Sequence, residues 1–248
     1  MTQVWMITGA GKGIGAAIAR AAGKAGHAVC VNYARSQADA EKVVADINAS
    51  GGRAVAIQAD VSREEDVVRL FAECDRALGK ATVLVNNAGI IERQCRADAM
   101  DAGLLQRVFA ANVYSVFYCN REALKRMSKK HGGPGGVIIS VSSAAARHGG
   151  LPEETHYAAS KGALDSMTMG LAKEVGAEGV RVVAIRPGLI ATAIHDAHGG
   201  QGLIDKLGPT IPIGRVGTPD EVAQSVLWLA SDGASYVHGA IIDISGGR

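Results

Sequence analysis

Short apolar runs rich in β-branched residues alternate with longer segments in which apolar residues recur at helical spacing, from one end of the 248-residue chain to the other. Such alternation is typical of repeated β-α-β units built around a parallel sheet. The pattern predicts seven strands, at residues 4–8, 28–32, 53–58, 82–86, 137–141, 180–186 and 240–244. We therefore expect one doubly wound α/β domain over residues 1–248, with a seven-stranded parallel sheet flanked by helices.

Two capping signals mark the starts of helices between these strands. Ser62, with Glu65 three residues later, precedes an apolar pattern of helical spacing. Thr218 and Glu221 repeat the arrangement, and Pro219 occupies the position expected for the first helical residue. Both segments therefore predict a helix that opens with a reciprocal capping box.

Composition and charge narrow the function classes. Hydrophobic residues make up 48% of the chain but aromatic residues only 4%, which predicts a closely packed aliphatic core. The formal net charge of +2 is far from the clustered basic surface that binds a phosphate backbone, so no nucleic-acid partner is expected. No uninterrupted apolar run reaches the ~18 residues of a membrane span, and we expect no membrane partner.

The four cysteines, at positions 30, 74, 95 and 119, form no C-x-x-C pair and lie in or beside apolar patterns. Buried, reduced thiols are the expectation for such residues. Reduced thiols and the lack of a leader-like segment at the start of the chain favour a cytoplasmic location.

A glycine-rich turn follows the first strand directly and leads into a helical pattern, with residues 8–15 reading TGAGKGIG. Glycines at 9, 13 and 15 would let the backbone approach a pyrophosphate closely, with the helix N-terminus facing its charge. A merely tight turn would show the same glycines, but the strand before and the helix after favour a nucleotide. The candidate binding residues here are Thr8, Gly9, Lys12, Gly13, Ile14 and Gly15.

The residues that close the second strand bear on the choice of dinucleotide. A carboxylate at this point binds the ribose 2′-hydroxyl and repels a 2′-phosphate. The chain has Asn32, Tyr33, Ala34 and Arg35 there, with no acid among them. Lys12 and Arg35 could both pair with a phosphate, which favours NADP(H) over NAD(H), although both could also be ordinary surface charges.

Tyr157 and Lys161 carry the clearest chemical signal, because positions i and i+4 of a helix share one face. A cation ~4 Å from a phenol would favour the phenolate by about 4 kcal/mol at an effective dielectric constant of ~20. The pair therefore predicts a tyrosine whose pKa lies low enough for proton transfer near neutrality. An isolated pair of this spacing would more often be an exposed Tyr and Lys, so the rest of the chain has to support it.

Several spaced motifs support a functional Tyr157–Lys161 pair. Through them the chain resembles the short-chain dehydrogenase/reductase family over nearly its whole length. Residues 8–15 resemble the family's TGxxxGxG turn, residues 86–89 its NNAG motif, and Tyr157 with Lys161 its YxxxK motif. The likeness extends to the family's 3-oxoacyl-carrier-protein reductases and its glucose and ribitol dehydrogenases. It implies a Rossmann fold and further cofactor contacts from Asp60, Val61, Asn87, Ala88, Gly89, Pro187, Gly188, Ile190 and Thr192.

The resemblance also implies four catalytic residues. Tyr157 would exchange a proton with the oxygen of a carbonyl or secondary alcohol, and Ser143 would hold that oxygen. Lys161 would bind the nicotinamide ribose and favour phenolate, while Asn112 would anchor a water relay to Lys161. Ser142 and Ser140 lie nearby, and Ser143 is chosen because the family uses the second serine of its pair. Tyr157 and Lys161 would thus serve both cofactor binding and catalysis.

The substrate is left open between two alternatives that the resemblance implies: a small polar ketone, sugar or polyol, and a 3-oxoacyl-[acyl-carrier-protein]. A catalytically silent nucleotide sensor or scaffold is the alternative of another class. We expect a substrate lid at residues 190–214 and a homo-oligomer, by resemblance a tetramer, with no metal. His195, Asp196 and His198 could suggest a metal, but a solvated loop explains them better. Residues expected to shape the substrate pocket are Arg93, Arg147, His148, Glu153 and Glu154.

Overall fold

A computed structural model describes residues 2–192 and 200–248 of the chain. Its sheet has seven strands in the order β3-β2-β1-β4-β5-β6-β7, and every neighbouring pair runs parallel. The strands are β1 Val4–Ile7, β2 Ala28–Tyr33, β3 Arg53–Gln58, β4 Val83–Asn86, β5 Gly136–Val141, β6 Val180–Pro187 and β7 Ile241–Ile244. The predicted Rossmann-type sheet is confirmed, with each strand end within one residue of its predicted position.

Helices cover both faces of the sheet. They are α1 Gly13–Lys24, α2 Gln37–Ala49, α3 Glu64–Ala77, α4 Ala102–Phe109, α5 Ser115–Met127, α6 Ala145–His148, α7 Thr155–Val175, α8 Gly200–Leu207 and α9 Pro219–Ala230. A five-residue π-helix, Ala110–Tyr114, joins α4 to α5. In the described part of the chain, no helix is both long and apolar enough to cross a membrane.

The strands are recognisable in the sequence because the central ones are buried on both faces, which leaves continuous apolar runs. Alternate residues of β1 point into two separate aliphatic layers. Trp5 and Ile7 pack with residues of α1, α2 and α9, whereas Met6 packs with residues of α3, α5 and α7. All four cysteines are buried and free, as predicted.

The two capping predictions have different outcomes. Thr218 and Glu221 form the predicted capping box, with Pro219 as the first residue of α9. The box predicted at Ser62 is wrong, because α3 begins at Glu64 and has no side-chain cap. The Ser62 N–H, which Glu65 would accept in a capping box, instead donates to Oδ1 of Asp60 over 3.0 Å, and the Ser62 hydroxyl donates to the same oxygen over 2.7 Å.

The strand order creates a crevice at the carboxyl ends of β1 and β4. The chain runs outward from β1 through β2 to β3, and then returns to place β4 on the other side of β1. The connections leaving β1 and β4 therefore pass to opposite sides, and a gap opens between them. Ligands of doubly wound sheets bind at such switch points.

Candidate active site

A cavity of about 710 Å³ opens at this crevice. Its wall includes the glycine-rich turn after β1 at one end and the start of α7 at the other. The structure therefore brings the predicted nucleotide-binding turn and the Tyr157–Lys161 pair into one continuous space. Seventeen of the predicted site residues line it: Gly9, Lys12, Gly13, Ile14, Asn32, Asp60, Val61, Asn87, Ala88, Gly89, Ser143, Tyr157, Lys161, Pro187, Gly188, Ile190 and Thr192.

Thr8 and Gly15, which do not line the cavity, support its wall from behind. The Thr8 hydroxyl accepts hydrogen bonds from the backbone N–H groups of Asn87 and Ala88, each at 3.0 Å. A Cβ on Gly15 would lie 2.4 Å from Nδ2 of Asn87 and 2.6 Å from the Gly9 oxygen. Close packing of the first turn against the end of β4 therefore requires glycine at position 15.

The residues after β2 are placed differently from the prediction. Asn32 lines the cavity, but its side chain is committed inside the protein: Oδ1 accepts the Gly9 N–H over 3.2 Å and Nδ2 donates to the Ala59 oxygen over 3.0 Å. Tyr33 is buried and Arg35 is exposed, and neither lines the cavity. Of residues 32–35, Asn32 and Ala34 therefore border the cavity.

Lys12 has a partner that the sequence did not suggest. Its Nζ lies 3.0 Å from Oδ2 of Asp39 on α2, and both side chains are about half exposed. Such an exposed ion pair contributes only about 0–1 kcal/mol, so a bound phosphate can compete with Asp39 for the lysine.

The spaces left by the glycines provide a test of whether a dinucleotide fits. A Cβ on Gly9 would lie 3.0 Å from Ala88 Cα, and one on Gly13 would lie 3.4 Å from Thr192 Cγ2. Gly9 and Gly13 also have left-handed φ angles of +61° and +55°, which other residues rarely adopt. The backbone between β1 and α1 is therefore kept bare where it borders the cavity, as a pyrophosphate at a helix N-terminus requires.

Tyr157 and Lys161 occupy the first turns of α7 and face the cavity together. Lys161 Nζ lies 5.7 Å from the centroid of the Tyr157 ring and donates to the Val141 carbonyl over 2.9 Å. Ser143 forms a side-chain hydrogen bond with Tyr157. The neighbouring Ser142 uses its hydroxyl elsewhere, donating to the Lys161 carbonyl over 3.1 Å.

Burial controls the proton affinities of this pair. It raises the pKa of Tyr157 to about 12, against the opposing effect of the Ser143 hydrogen bond. It lowers the pKa of Lys161 to about 8, against the opposing charge of Asp165 one turn further along α7. The expectation of a tyrosine pKa near neutrality is therefore wrong for the protein alone, because desolvation of the phenolate outweighs the effect of the Ser143 hydrogen bond.

Asn112 lies behind the cavity wall in the π-helix and is fully buried. Its Nδ2 donates to the Ile90 oxygen and to Ser160 Oγ, at 2.8 and 2.9 Å, while Oδ1 accepts the Ile90 N–H over 2.8 Å. A Cβ on Gly89 would lie 3.2 Å from Asn112 Oδ1 and 3.3 Å from Lys161 Nζ. Gly89 thus keeps a small space between the amide and the amine.

The substrate end of the cavity has several residues that the predicted set lacks. His148 and Glu154 line it as expected, whereas Arg93, Arg147 and Glu153 do not. Other residues of the substrate end are Ile90, Ile91, Ala145, Gly150, Leu151, Leu207 and Arg248. Their positions depend on loops far apart in sequence, so no local pattern marks them.

The described residues contain no group of three His, Cys, Asp or Glu side chains that could hold a metal ion. His195, Asp196 and His198 lie outside the described residues, as do residues 193–199 of the expected lid as a whole. Within the described part of that segment, Leu207 of α8 contributes to the cavity wall.

Comparisons with known proteins agree with this geometry. A family model described as enoyl-(acyl carrier protein) reductase matches residues 9–248. The chain is 45% identical to the uncharacterized oxidoreductase YgfF of Escherichia coli K12 over 243 residues, 98% of each chain. It is 39% identical to versicolorin reductase 1 of Aspergillus parasiticus over 256 residues, covering 99% of this chain and 95% of the relative.

A solved structure of similar architecture is a short-chain dehydrogenase/reductase from Serratia marcescens BCRC 10948. It matches with a TM-score of 0.90 and 32% identity, covering 99% of this chain and 97% of the Serratia chain. Likeness over whole chains, together with one cavity that joins a glycine-rich turn to a Tyr-Lys pair, leads to one conclusion. The chain is an oxidoreductase and belongs to the short-chain dehydrogenase/reductase family.

Proposed function

We propose that the protein interconverts a carbonyl and a secondary alcohol on a small polar substrate, with NADP(H) as the hydride carrier and Tyr157 as general acid and base. The observation that supports this most directly is the shared cavity. The phenol of Tyr157, the amine of Lys161 and the glycine-rich turn all border the same 710 Å³ space. A dinucleotide bound along the turn would extend toward the two head groups.

In this proposal the cofactor supplies the hydride, and the side chains supply alignment and proton transfer. With a pKa raised to about 12, the Tyr157 hydroxyl holds its proton at neutral pH and can donate it to a carbonyl oxygen. Ser143, already hydrogen-bonded to Tyr157, is placed to hold the same oxygen. The serine assignment is supported by Ser142, whose hydroxyl is engaged with the Lys161 carbonyl.

Lys161 and Asn112 complete the proposed set. The pKa of Lys161, lowered to about 8 by burial, still leaves the amine largely protonated at neutral pH, where it can hold ribose hydroxyls and favour phenolate. Asn112 and Lys161 border the space that Gly89 leaves open. A water there would connect the amine to the interior, as a proton relay requires.

The remaining proposed contacts divide the dinucleotide among three parts of the wall. Gly9, Lys12, Gly13 and Ile14 would hold the pyrophosphate, with Thr8 and Gly15 acting as supports rather than as contacts. Asp60 and Val61 would border the adenine, with Asn32 and Tyr33 behind the ribose. Residues 87–89, Pro187, Gly188, Ile190 and Thr192 would surround the nicotinamide.

Members of the family use NAD(H) or NADP(H), and two observations support a preference for NADP(H) here. Residues 32–35 carry no acid that would repel a 2′-phosphate. Lys12 lines the cavity, and Arg35 follows β2 with its side chain exposed and available to turn toward a phosphate. Comparing kcat/KM for NADPH and NADH tests the preference, and a clear preference for NADH would contradict it.

The function is tested by NADPH oxidation with a panel of small ketones, hydroxyketones and aldoses, with Tyr157→Phe as the control. Turnover that disappears in the variant supports the proposal. Binding of NADPH without turnover of any carbonyl or alcohol would instead support a nucleotide sensor or scaffold. The presence of Ser143, Tyr157 and Lys161 together on one wall favours the enzyme.

Reduction of a 3-oxoacyl-[acyl-carrier-protein] is the second candidate. The matching family model is described by an acyl-carrier-protein substrate. Arg248 lines the substrate end of the cavity, and Arg147 donates to its carbonyl oxygen over 2.6 Å, so cationic groups lie near the site. An assay with acetoacetyl-carrier protein beside small ketones separates the two candidates.

We also propose a homotetramer of the whole chain as a single domain, with residues 190–214 as a substrate lid. Three large apolar side chains on or next to helices α5 and α7 are each about half exposed: Tyr114, Phe117 and Met169. Together they form an apolar surface that a second copy could cover. Light scattering and Phe117→Glu test the assembly.

Four buried free thiols favour a reducing compartment such as the cytoplasm, which cell fractionation tests.

A further inference from the structure

A buried carboxylate lies at the substrate end of the cavity, one helical turn before Tyr157. Glu154 immediately precedes α7, exposes only 6% of its surface and lines the same cavity as Tyr157. Positions three apart at the start of a helix share a face. After burial, which is the main cause, the charge of Glu154 also contributes to the raised pKa of Tyr157, as expected for a carboxylate close to the phenol.

The loop between α6 and α7 fixes this carboxylate in place. Gly149 and Gly150 have left-handed φ angles of +90° and +83°, which turn the chain back over α7. A Cβ on Gly150 would lie 3.3 Å from Glu154 Cβ, so the loop packs directly on this side chain. The Leu151 N–H donates to Glu154 Oε2 over 3.2 Å. The carboxylate is therefore held rather than left to rotate.

A second loop, residues 90–95, also contacts residues 153 and 154. The Cys95 N–H donates to the Glu153 carbonyl over 2.8 Å, and Gln94 Nε2 lies 3.5 Å from Glu154 Oε1. Glu153 has a left-handed φ of +68°. Non-glycine residues keep this conformation only where the surroundings enforce it, and such residues cluster at functional sites.

We propose that Glu154 is a specificity-determining residue that accepts a hydrogen bond from a hydroxyl on the carbon next to the reacting carbonyl. The preferred substrates are then α-hydroxyketones, with vicinal diols as their reduced forms. This inference rests on the function proposed above and names its substrate class. A substrate that lacks the hydroxyl displaces water from the carboxylate without replacing its hydrogen bond, so the site disfavours it.

The test compares 2-hydroxycyclohexanone with cyclohexanone under saturating NADPH. The wild-type protein should prefer the hydroxyketone by at least about 10-fold in kcat/KM, the range expected for a hydrogen bond to a charged group. Glu154→Leu should reduce that ratio to about one, mainly by losing activity with the hydroxyketone, and Glu154→Gln should give an intermediate ratio. Glu153→Gln is the matched control, because it removes a neighbouring exposed charge outside the cavity and should leave the ratio unchanged.

A wild-type ratio near one would overturn the inference, and so would a Glu154→Gln variant with the full wild-type ratio. Equal losses with both ketones in a folded Glu154→Leu protein would show a role in loop structure instead. If neither ketone is turned over, the proposed function is at fault, and equilibrium binding of cyclohexane-1,2-diol and cyclohexanol to the protein with NADP⁺ then tests Glu154 alone. Tighter diol binding that Glu154→Leu abolishes supports the inference, and equal binding contradicts it.

Discussion

Lys161 Nζ donates a hydrogen bond to the carbonyl of Val141 over 2.9 Å, which ties the amine on α7 to the carboxyl end of β5. The ammonium is therefore positioned by the sheet. The Tyr157 ring centroid lies 5.7 Å from Nζ, so the phenol and the amine adjoin the cavity side by side without a direct hydrogen bond between them in the described structure. In the proposed chemistry, the phenol and the amine therefore act together through the cofactor and substrate bound beside them.

Exchanging each of the two adjacent serines for alanine should separate a catalytic from a structural role. Ser143→Ala should lower kcat by about 10²- to 10³-fold, because the developing oxygen charge loses a donor beside Tyr157. Ser142→Ala should reduce the free energy of unfolding by about 1 kcal/mol through the lost bond to the Lys161 carbonyl, with a much smaller effect on kcat. Steady-state kinetics and urea unfolding measure the two effects, and equal kcat losses would undo the assignment of Ser143.

The pKa shifts predict opposite pH profiles for the two directions. Reduction uses the neutral phenol of Tyr157, whose pKa is raised to about 12 by burial, so its rate should stay level through neutral pH. It should decline above about pH 8, where Lys161 loses its proton. Oxidation needs the phenolate, so its rate should rise with pH across the neutral range.

Rates measured from about pH 6 to about pH 10 in both directions check this prediction. Glu154→Gln should shift the oxidation profile to lower pH, because the removed negative charge helps to raise the pKa of Tyr157. Oxidation that is fastest at acid pH would contradict the assignment of Tyr157 as the base.

Removing the carboxylate that pairs with Lys12 should strengthen the proposed cofactor preference. Asp39→Asn frees Nζ, now 3.0 Å from the carboxylate, to pair with a 2′-phosphate. The kcat/KM ratio of NADPH to NADH should rise about 3- to 10-fold, and Lys12→Ala should lower it. Asp46→Asn is the control, because Asp46 lies on α2 like Asp39 and forms a similar exposed pair with Arg20 of α1. No change in any variant would show that Lys12 does not meet the phosphate.

A methyl group at position 89 should interfere with the proposed proton relay. The Cβ of Gly89→Ala would lie 3.2 Å from Asn112 Oδ1 and 3.3 Å from Lys161 Nζ, in the space proposed for a water. We expect kcat to fall about 10-fold or more with little change in the dissociation constant of NADPH. Gly162→Ala, where a Cβ meets nothing within 4 Å, should be nearly neutral. A fully active Gly89→Ala enzyme would contradict the relay.

The strands and the glycine-rich turn could be predicted because their signals are local. A doubly buried strand shows as a continuous apolar run, and the turn shows as glycines between a strand and a helix. Together they place the crevice, since β1 and β4 lie side by side once the strand order is known. The failed capping box at Ser62 shows the limit even of local signals, because Asp60, two residues earlier, accepts the Ser62 N–H that Glu65 would accept in the box.

The rest of the site depends on contacts between distant parts of the chain. The Asn32 side chain is hydrogen-bonded to Gly9 and Ala59, and Lys12 forms an exposed ion pair with Asp39. None of these partners can be inferred from spacing. The pKa of Tyr157 follows from how deeply α7 is buried, which a four-residue spacing does not reveal. Likewise, the π-helix around Asn112 has no periodicity of its own that would distinguish it from α4 and α5.

The proposed proton transfer by Tyr157 is measured most directly as the rate of NADPH oxidation by Tyr157→Phe on a substrate that the wild-type protein reduces. Tyr236→Phe, which removes a phenol oxygen from a fully exposed side chain, is the matched control. We expect a kcat about 10²- to 10⁴-fold lower for Tyr157→Phe, with NADPH binding and the control unchanged. A Tyr157→Phe protein that keeps a rate within a few-fold of wild type would show that Tyr157 is not the general acid and base.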